Sequence, residues 1–499
     1  MTQYQEPFRP QFHFSPPAGW MNDPNGMFYL DGEYHLCYQL IPETHDHTGQ
    51  KNWGHAVSPD LLRWQHWPLA LGANEGGEIW SGCAVVDHHN SSGLQTGDEP
   101  VVVAHFTHVF NGDTGDGDLD PRHGRQAQYA AYSNDRGSTW KWIEQNPVID
   151  NPGLPDFRDP NVIWHAPSQR WVLVLAAGDR VMFYTSRNLL EWKKTSEFGP
   201  GVGCLGGVWE CPALFSLPLP GPGGGEKWVL LVSLGGGAPN GGSGTEYFIG
   251  DFDGERFSSD HASDTAFWLD YGRDNYAAIP FTSMPDSAPR LILVGWMSNW
   301  WYAADTPTAP WRGQMTIPRE ARLVRTGDGV RLATQPVAEL AALRQEHQSI
   351  KDIPLLETTA LPQMSAELPG RFELALVVAN GEASEWGICL QNSAGEETII
   401  GYDVEGRRLF VNRQRSGNID FHRDFAGFQH GAKLLAEVDE VALRIYVDWS
   451  SIEVCAGEGV VWLSELIFPQ QPVSGMTFYA RGGQASLQQL DVWTLKSVW

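Results

Sequence analysis

The chain lacks several things that would otherwise set its class. Cysteine is scarce: six in 499 residues (Cys37, Cys83, Cys204, Cys211, Cys389, Cys455), with no CxxC pair. Neither a zinc knuckle nor a disulfide scaffold is indicated, and most of the six are expected as buried thiols. Positive charge is short as well. Thirty-four Lys and Arg stand against 60 Asp and Glu, a formal charge of −26, which repels nucleic acid and leaves neutral ligands as candidate partners. No apolar run reaches the ~20 residues of a membrane span. Met1–Pro7 has neither the basic nor the apolar character of a secretory signal, so the sequence reads as cytoplasmic unless a leader has been trimmed.

Helical periodicity is nearly absent too. From about residue 10 to residue 325, short β-branched and aromatic runs such as Met27–Leu30, Tyr34–Gln39, Val101–Phe106, Trp171–Ala176 and Leu291–Met297 are broken by Gly, Pro, Asn and Asp. This is an all-β reading. A turn recurs within it. Ser58–Trp64 and Ser186–Trp192 share Ser-x-Asp/Asn-Leu-Leu-x-Trp, Ser133–Trp140 is of similar design, and Asp251–Phe257 is a looser fourth copy. Their spacing suits four-stranded blades with insertions and predicts a five-bladed β-propeller over residues 1–330. Two sandwiches could use such strands but would leave the repeated turn unexplained. One helical pattern, Leu332–Gln345, sets Val337, Leu340 and Leu343 along one side after Pro336 and predicts a linker helix over 331–352. Strands then resume, and alternation in Leu443–Asp448 predicts a β-sandwich over 353–499. The 22 tryptophans suit core packing or flat platforms for sugar rings.

Three carboxylates stand out by their neighbours. In Trp20-Met21-Asn22-Asp23-Pro24-Asn25-Gly26, Asp23 is driven into a turn by Pro24 and Asn25-Gly26 and pinned between apolar segments. A carboxylate so fixed suits a nucleophile. Asp159, in Phe157-Arg158-Asp159-Pro160, has an arginine able to hold it ionised. Glu210, in Trp209-Glu210-Cys211-Pro212, lies between an indole and a thiol, surroundings that raise a carboxyl pKa and suit a general acid. Singly they could be an Asx-turn, a salt bridge and a capped strand end. On the inner-strand ends of three blades they would meet in one funnel as nucleophile, substrate clamp and acid/base of a glycosidase. Retaining chemistry would need Asp23 and Glu210 about 5–5.5 Å apart.

These three stretches resemble the signature motifs of the glycoside hydrolase family that contains invertases, inulinases, levanases and fructan exohydrolases. Tyr38-Gln39, Trp53–Ala56, Trp80–Gly82, Asp270–Asp274, Gly295–Met297, Trp311–Arg319 and Asp448–Val454 agree in order. The resemblance implies a propeller joined to a sandwich and an exo-acting β-fructosidase. Asp23 would attack the anomeric carbon of a terminal fructosyl unit, Glu210 would act as acid and then base, and Asp159, with Arg158 beside it, would hold the sugar hydroxyls. Asn22, Gln39, Trp80, Ser81 and Trp296 would contact the fructosyl ring, and Tyr271, Asp274 and Trp311 are added to that set. Sucrose, fructo-oligosaccharides and inulin- or levan-type fructans are the implied substrates, with a lean to the levanase and exo-inulinase branch. A fructosyltransferase, an endo-acting fructanase and an inactive fructan-binding protein are the alternatives.

Two departures touch the mouth of the pocket. Where the family commonly has an aromatic residue, Leu40–Lys51 offers His45 or His47. The insertion Asp113–Asp120 alternates Asp with Gly; without the closing Glu of an EF-hand loop it reads as a solvated loop. No metal or cofactor is expected, and a homo-oligomer is left open.

Overall fold

Short alternating runs ended by Gly, Pro, Asn and Asp cannot sustain a helix, so the chain satisfies its backbone by pairing each run with the next. The computed structural model describes residues 4–74, 76–111, 122–221, 223–285, 289–361, 368–435 and 438–499. The first two thirds form five sheets, antiparallel except where Trp311–Arg312 pairs in parallel with Gly19-Trp20. Their inner strands are Gly19–Leu30, Gly77–Asp87, Arg158–His165, Trp209–Pro218 and Tyr276–Pro280. Each lies beside the next, and Tyr276–Pro280 lies beside Gly19–Leu30. These are the five blades of a β-propeller.

The recurring turn joins the third and fourth strands of blades 1 to 4. In blade 1 the Asp60 carboxylate accepts from Leu62 N and Arg63 N at 3.1 and 2.8 Å, Leu61 takes φ 64°, and the Trp64 indole donates to Leu61 O at 3.1 Å. Blade 3 repeats this with Asn188, Leu189 (φ 64°) and Trp192. Asp135 and Trp140 in blade 2 and Asp253 in blade 4 are variants. In blades 1 to 3 the indole at the end of the motif is thus a backbone clamp.

From residue 344 two six-stranded sheets face each other around Phe372, Leu374, Trp386, Ile388, Ile445, Ile452 and Phe478, a β-sandwich. The expected linker helix over 331–352 is a correction. Gly329–Pro336 finishes blade 5, only Ala338–Leu343 is helical and as a 3-10 turn, and Arg344–Leu355 is an edge strand of the sandwich. Val337, Leu340 and Leu343 are buried as the pattern requires. Six residues, however, suffice to seat them, and sheet pairing takes the rest. The acidic insertion Asp113–Asp120 lies outside the described residues. Among those described, no helix is long and apolar enough to cross a membrane.

Between the domains, ion pairs cross beside apolar packing of Met297 and Tyr302 against Phe425, Leu466 and Phe468. Arg319, stacked 3.7 Å over Trp462, bonds Asp270 at 2.8 Å and also Glu453. His13 bridges Asp448 and Glu453, both at 2.8 Å. Arg413 bonds Asp274 at 2.6 Å and Glu465 at 3.0 Å.

Candidate active site

All five inner strands carry the same defect near their starts: two residues face one on the neighbouring strand. Asn22-Asp23 oppose Gln39, Trp80-Ser81 oppose Thr107, and Asp159-Pro160 oppose Leu175. Cys211-Pro212 oppose Val232, and Ala277-Ala278 oppose Gly295. Such β-bulges re-aim side chains and free them from the ladder. Asp159, Cys211 and Ala277 occupy left-handed backbone at φ 66°, 44° and 53°, a strained choice for residues with a Cβ. Pro24, Pro160 and Pro212 need no ladder donor, which is why the Asp-Pro and Cys-Pro pairs tolerate these positions.

The bulges bring Asp23, Asp159 and Glu210 together. Ser81 Oγ donates to Asp23 Oδ2 at 2.7 Å, and the Cys211 thiol reaches the same oxygen at 3.5 Å. Asp159 Oδ2 accepts from Cys211 N at 2.9 Å, while Asp159 N donates to Thr107 Oγ1 at 2.8 Å. Arg158 Nε donates to Glu210 Oε1 at 3.1 Å, and Tyr276 donates to Glu210 Oε2. Glu210 is the one of the three that looks outward, 26% exposed in its side chain. Buried and without partners are Asp23 Oδ1, both polar atoms of Gln39, and Trp296 Nε1. Buried polar groups left open in this way are held for a ligand or water.

Three acids beside one guanidinium cannot all ionise freely. Burial pushes the Asp159 carboxyl up to about 7, with Arg158 opposing and Glu210 and Asp23 adding to the rise. Burial also raises Glu210, against Arg158 and the Tyr276 donor. The cluster therefore keeps a proton to higher pH than a lone carboxylate would. The Cys211 thiol and Tyr276 phenol are raised further still, by burial first, so both remain donors.

The other expected residues divide. Asn22 accepts from Trp20 Nε1 at 2.7 Å. Trp80 is tied through Nε1 to Glu78 at 2.8 Å, with the Lys51 ammonium 4.8 Å from its ring. Trp20, Trp296, Trp300 and Tyr276 make one aromatic wall, with Trp296 and Trp300 centroids 4.8 Å apart. Tyr271 and Asp274 are not brought to this cluster. Tyr271 N donates to Trp462 O at 2.8 Å, and Asp274 accepts from Tyr302, Arg413 and Leu466 N, which fixes both in the domain junction. Trp311 is 1% exposed beneath Arg9, 4.4 Å away, and supports Gly19 from behind. Tyr276, Trp20 and Trp300 were not foreseen in the sequence. The signal for Tyr276 was its place in Tyr276-Ala277-Ala278, the fifth-blade counterpart of Glu210-Cys211-Pro212.

A profile of the N-terminal domain of glycosyl hydrolases family 32 matches residues 13–336, and one of its C-terminal domain matches residues 339–494. The chain belongs to that family. It is 44% identical over 504 residues to a levanase of Bacillus subtilis, covering 100% of this chain and 72% of the relative. It is 38% identical over 523 residues to an extracellular exo-inulinase of Aspergillus niger, covering 99% and 96%. The crystal structure of an exo-inulinase from Aspergillus awamori superposes with a TM-score of 0.90 at 36% identity over 99% of this chain and 100% of that one. Of the two histidines of Leu40–Lys51, His47 has its ring 5.7 Å from Trp20. His45 instead gives its carbonyl to Arg312.

Proposed function

We propose that the protein is an exo-acting β-fructosidase that releases terminal β-fructofuranosyl units from sucrose, fructo-oligosaccharides and inulin- or levan-type fructans, with retention. One observation carries the mechanism. Asp23 has one oxygen held by Ser81 and the other buried and bare, while Glu210, raised in pKa, stands beside it between Arg158 and Tyr276.

Asp23 Oδ1 attacks the anomeric carbon as the bond to the leaving oxygen breaks, and Glu210 gives that oxygen its proton. A fructosyl ester of Asp23 results. Glu210, now a carboxylate, takes a proton from water, whose oxygen attacks the same carbon and frees Asp23. Asp159, with Arg158 at hand, holds the sugar hydroxyls and balances charge developing on the ring. Gln39 and Trp296 offer the polar atoms that would meet the remaining hydroxyls. The levanase and exo-inulinase relatives support this reading.

Incubation with sucrose, 1-kestose, inulin and levan tests it. Free fructose should accumulate from the first minutes, and NMR should catch the β-anomer before mutarotation. Oligosaccharides in place of fructose would point to endo-cleavage or transfer, and first release of the α-anomer would overturn retention.

A further inference from the structure

Two large aromatic rings outside the funnel are left bare. Trp301 is 45% and Phe428 50% exposed, one from blade 5 and one from the sandwich. Between them lies Arg273, 1% exposed, its guanidinium 5.1 Å from the Trp301 ring and 5.7 Å from that of Phe428. The inner sides of both rings are fixed. A Cβ on Gly241 would come within 3.0 Å of the Trp301 ring, a contact that the glycine, at φ 91°, avoids. Asn299 ties Trp301 N at 3.1 Å and Arg273 O at 2.8 Å, and Phe428 stands edge-on to His430 at 5.1 Å. Single exposed aromatics are ordinary. Two, held rigidly from two domains around one buried cation with their outer sides open, form a built surface.

We propose that Trp301 and Phe428 are a platform for fructosyl units of a polymer beyond the one held in the funnel, a reading that rests on the proposed function. Continuity argues for that occupant. Trp300 belongs to the aromatic wall of the funnel, and Trp301 is its immediate neighbour, so the platform begins where the wall ends. Chemistry agrees. Neutral sugar rings lay their C–H faces on flat aromatics with little ordering cost to either partner, and Arg273, 1% exposed, lies beneath the rings rather than on the open surface.

The test compares wild type with Trp301→Ala, Phe428→Ala and the double variant on sucrose, inulin and levan. Sucrose kinetics should be unchanged, while kcat/KM on polymer falls about tenfold in the double variant through KM. The inulin and levan arms show which linkage follows the platform. Trp301→Leu, which keeps apolar bulk without the ring, guards against misfolding, with equal melting temperature as the check. Retardation of Asp23→Ala protein in gels cast with each polymer reads binding without turnover, and should weaken when the platform changes are added. Unaltered polymer KM and retardation in folded variants would overturn the platform, as would an equal loss on sucrose. If the wild type released no fructose from any substrate, the proposed function would fall, yet the gels would still report on the platform.

Discussion

The molecule holds two groups of buried acids, and they are treated in opposite ways. At the domain junction, Asp270, Asp274, Asp448, Glu453 and Glu465 meet Arg319, Arg413, His13 and His430 at close range. Their oxygens are shared out. Asp274 takes Tyr302 on one oxygen and Arg413 with Leu466 N on the other, and Asp448 takes Gln11 N, Phe12 N and His13. In the funnel, Arg158 pairs with Glu210 and is shared with Asp156, one oxygen of Asp23 bonds to nothing, and the carboxyls of Asp159 and Glu210 are raised, by burial first. Acids whose oxygens are all answered hold structure, and acids left under-answered beside an opening are available for chemistry.

The sharpest way to break this contrast is to remove one charge from each group. Asp23→Ala should cut fructose release by about 10⁴-fold or more, since a nucleophile is not replaced by its neighbours. Its melting temperature should hold or rise, because burying an under-answered carboxylate costs free energy. A variant retaining wild-type turnover would sink the assignment. At the junction the reverse is expected. Arg319→Met takes the guanidinium from between Asp270 and Glu453 and should cost about 3–5 kcal/mol of stability, measured by urea unfolding. The molecules still folded should turn over sucrose as wild type does.

Acidity sharpens the comparison next. The carboxylates of Asp448 and Glu453 hold the His13 imidazole charged, up to about 9 from an ordinary 6.5, against the opposing effect of burial. Because the folded value is the higher, its stabilisation is whole below pH 6.5 and fades as pH climbs toward 9. The span corresponds to about 3 kcal/mol at most. Glu453 and Glu465 are held low despite burial, Glu453 chiefly by Arg319 and His13 and Glu465 by His430 and Arg413. Their share is present above the ordinary Glu range and fades as pH falls through the depressed values. Urea midpoints at pH 6, 7.5 and 9 should fall in wild type and stay flatter in His13→Gln; matching slopes would exclude His13 as the source.

Much of this was legible before any fold. The turn expected at Asp23 is instead a bulge inside the strand Gly19–Leu30, because Pro24 and Asn25-Gly26 disturb the ladder without ending it, whereas the Ser-x-Asp-Leu-Leu-x-Trp turn revealed the blades because it is a self-contained hydrogen-bond clamp. Long-range partnership was not legible. Asp274 and Tyr271 sit in a block as distinctive as that around Asp159, yet Arg413 and Trp462, which fix them to the junction, lie well over a hundred residues away. Distinctive motifs mark acids that must be placed accurately, and a domain junction needs that as much as a reaction does. The helix over 331–352 failed for a related reason. Its three apolar residues satisfy a single short turn, and the polar stretch Arg344–Leu355 gains more by pairing at a sheet edge.

The smallest predicted effect separates the two groups by a single hydroxyl. Tyr276 donates to Glu210, and Tyr302 donates to Asp274 at 2.7 Å. Tyr276→Phe removes a donor that favours ionised Glu210, so the Glu210 pKa should rise further. The acid then keeps its proton longer, and the alkaline limb of kcat/KM against pH should move upward. At the optimum kcat should drop about tenfold, roughly 1.4 kcal/mol, for loss of one hydrogen bond to the proton-transfer group. Tyr302→Phe removes a hydrogen bond of the same kind from a fully answered acid and should cost about 1–2 kcal/mol of stability with the pH profile in place. A pH profile displaced by Tyr302→Phe and untouched by Tyr276→Phe would reverse the roles given to the two clusters.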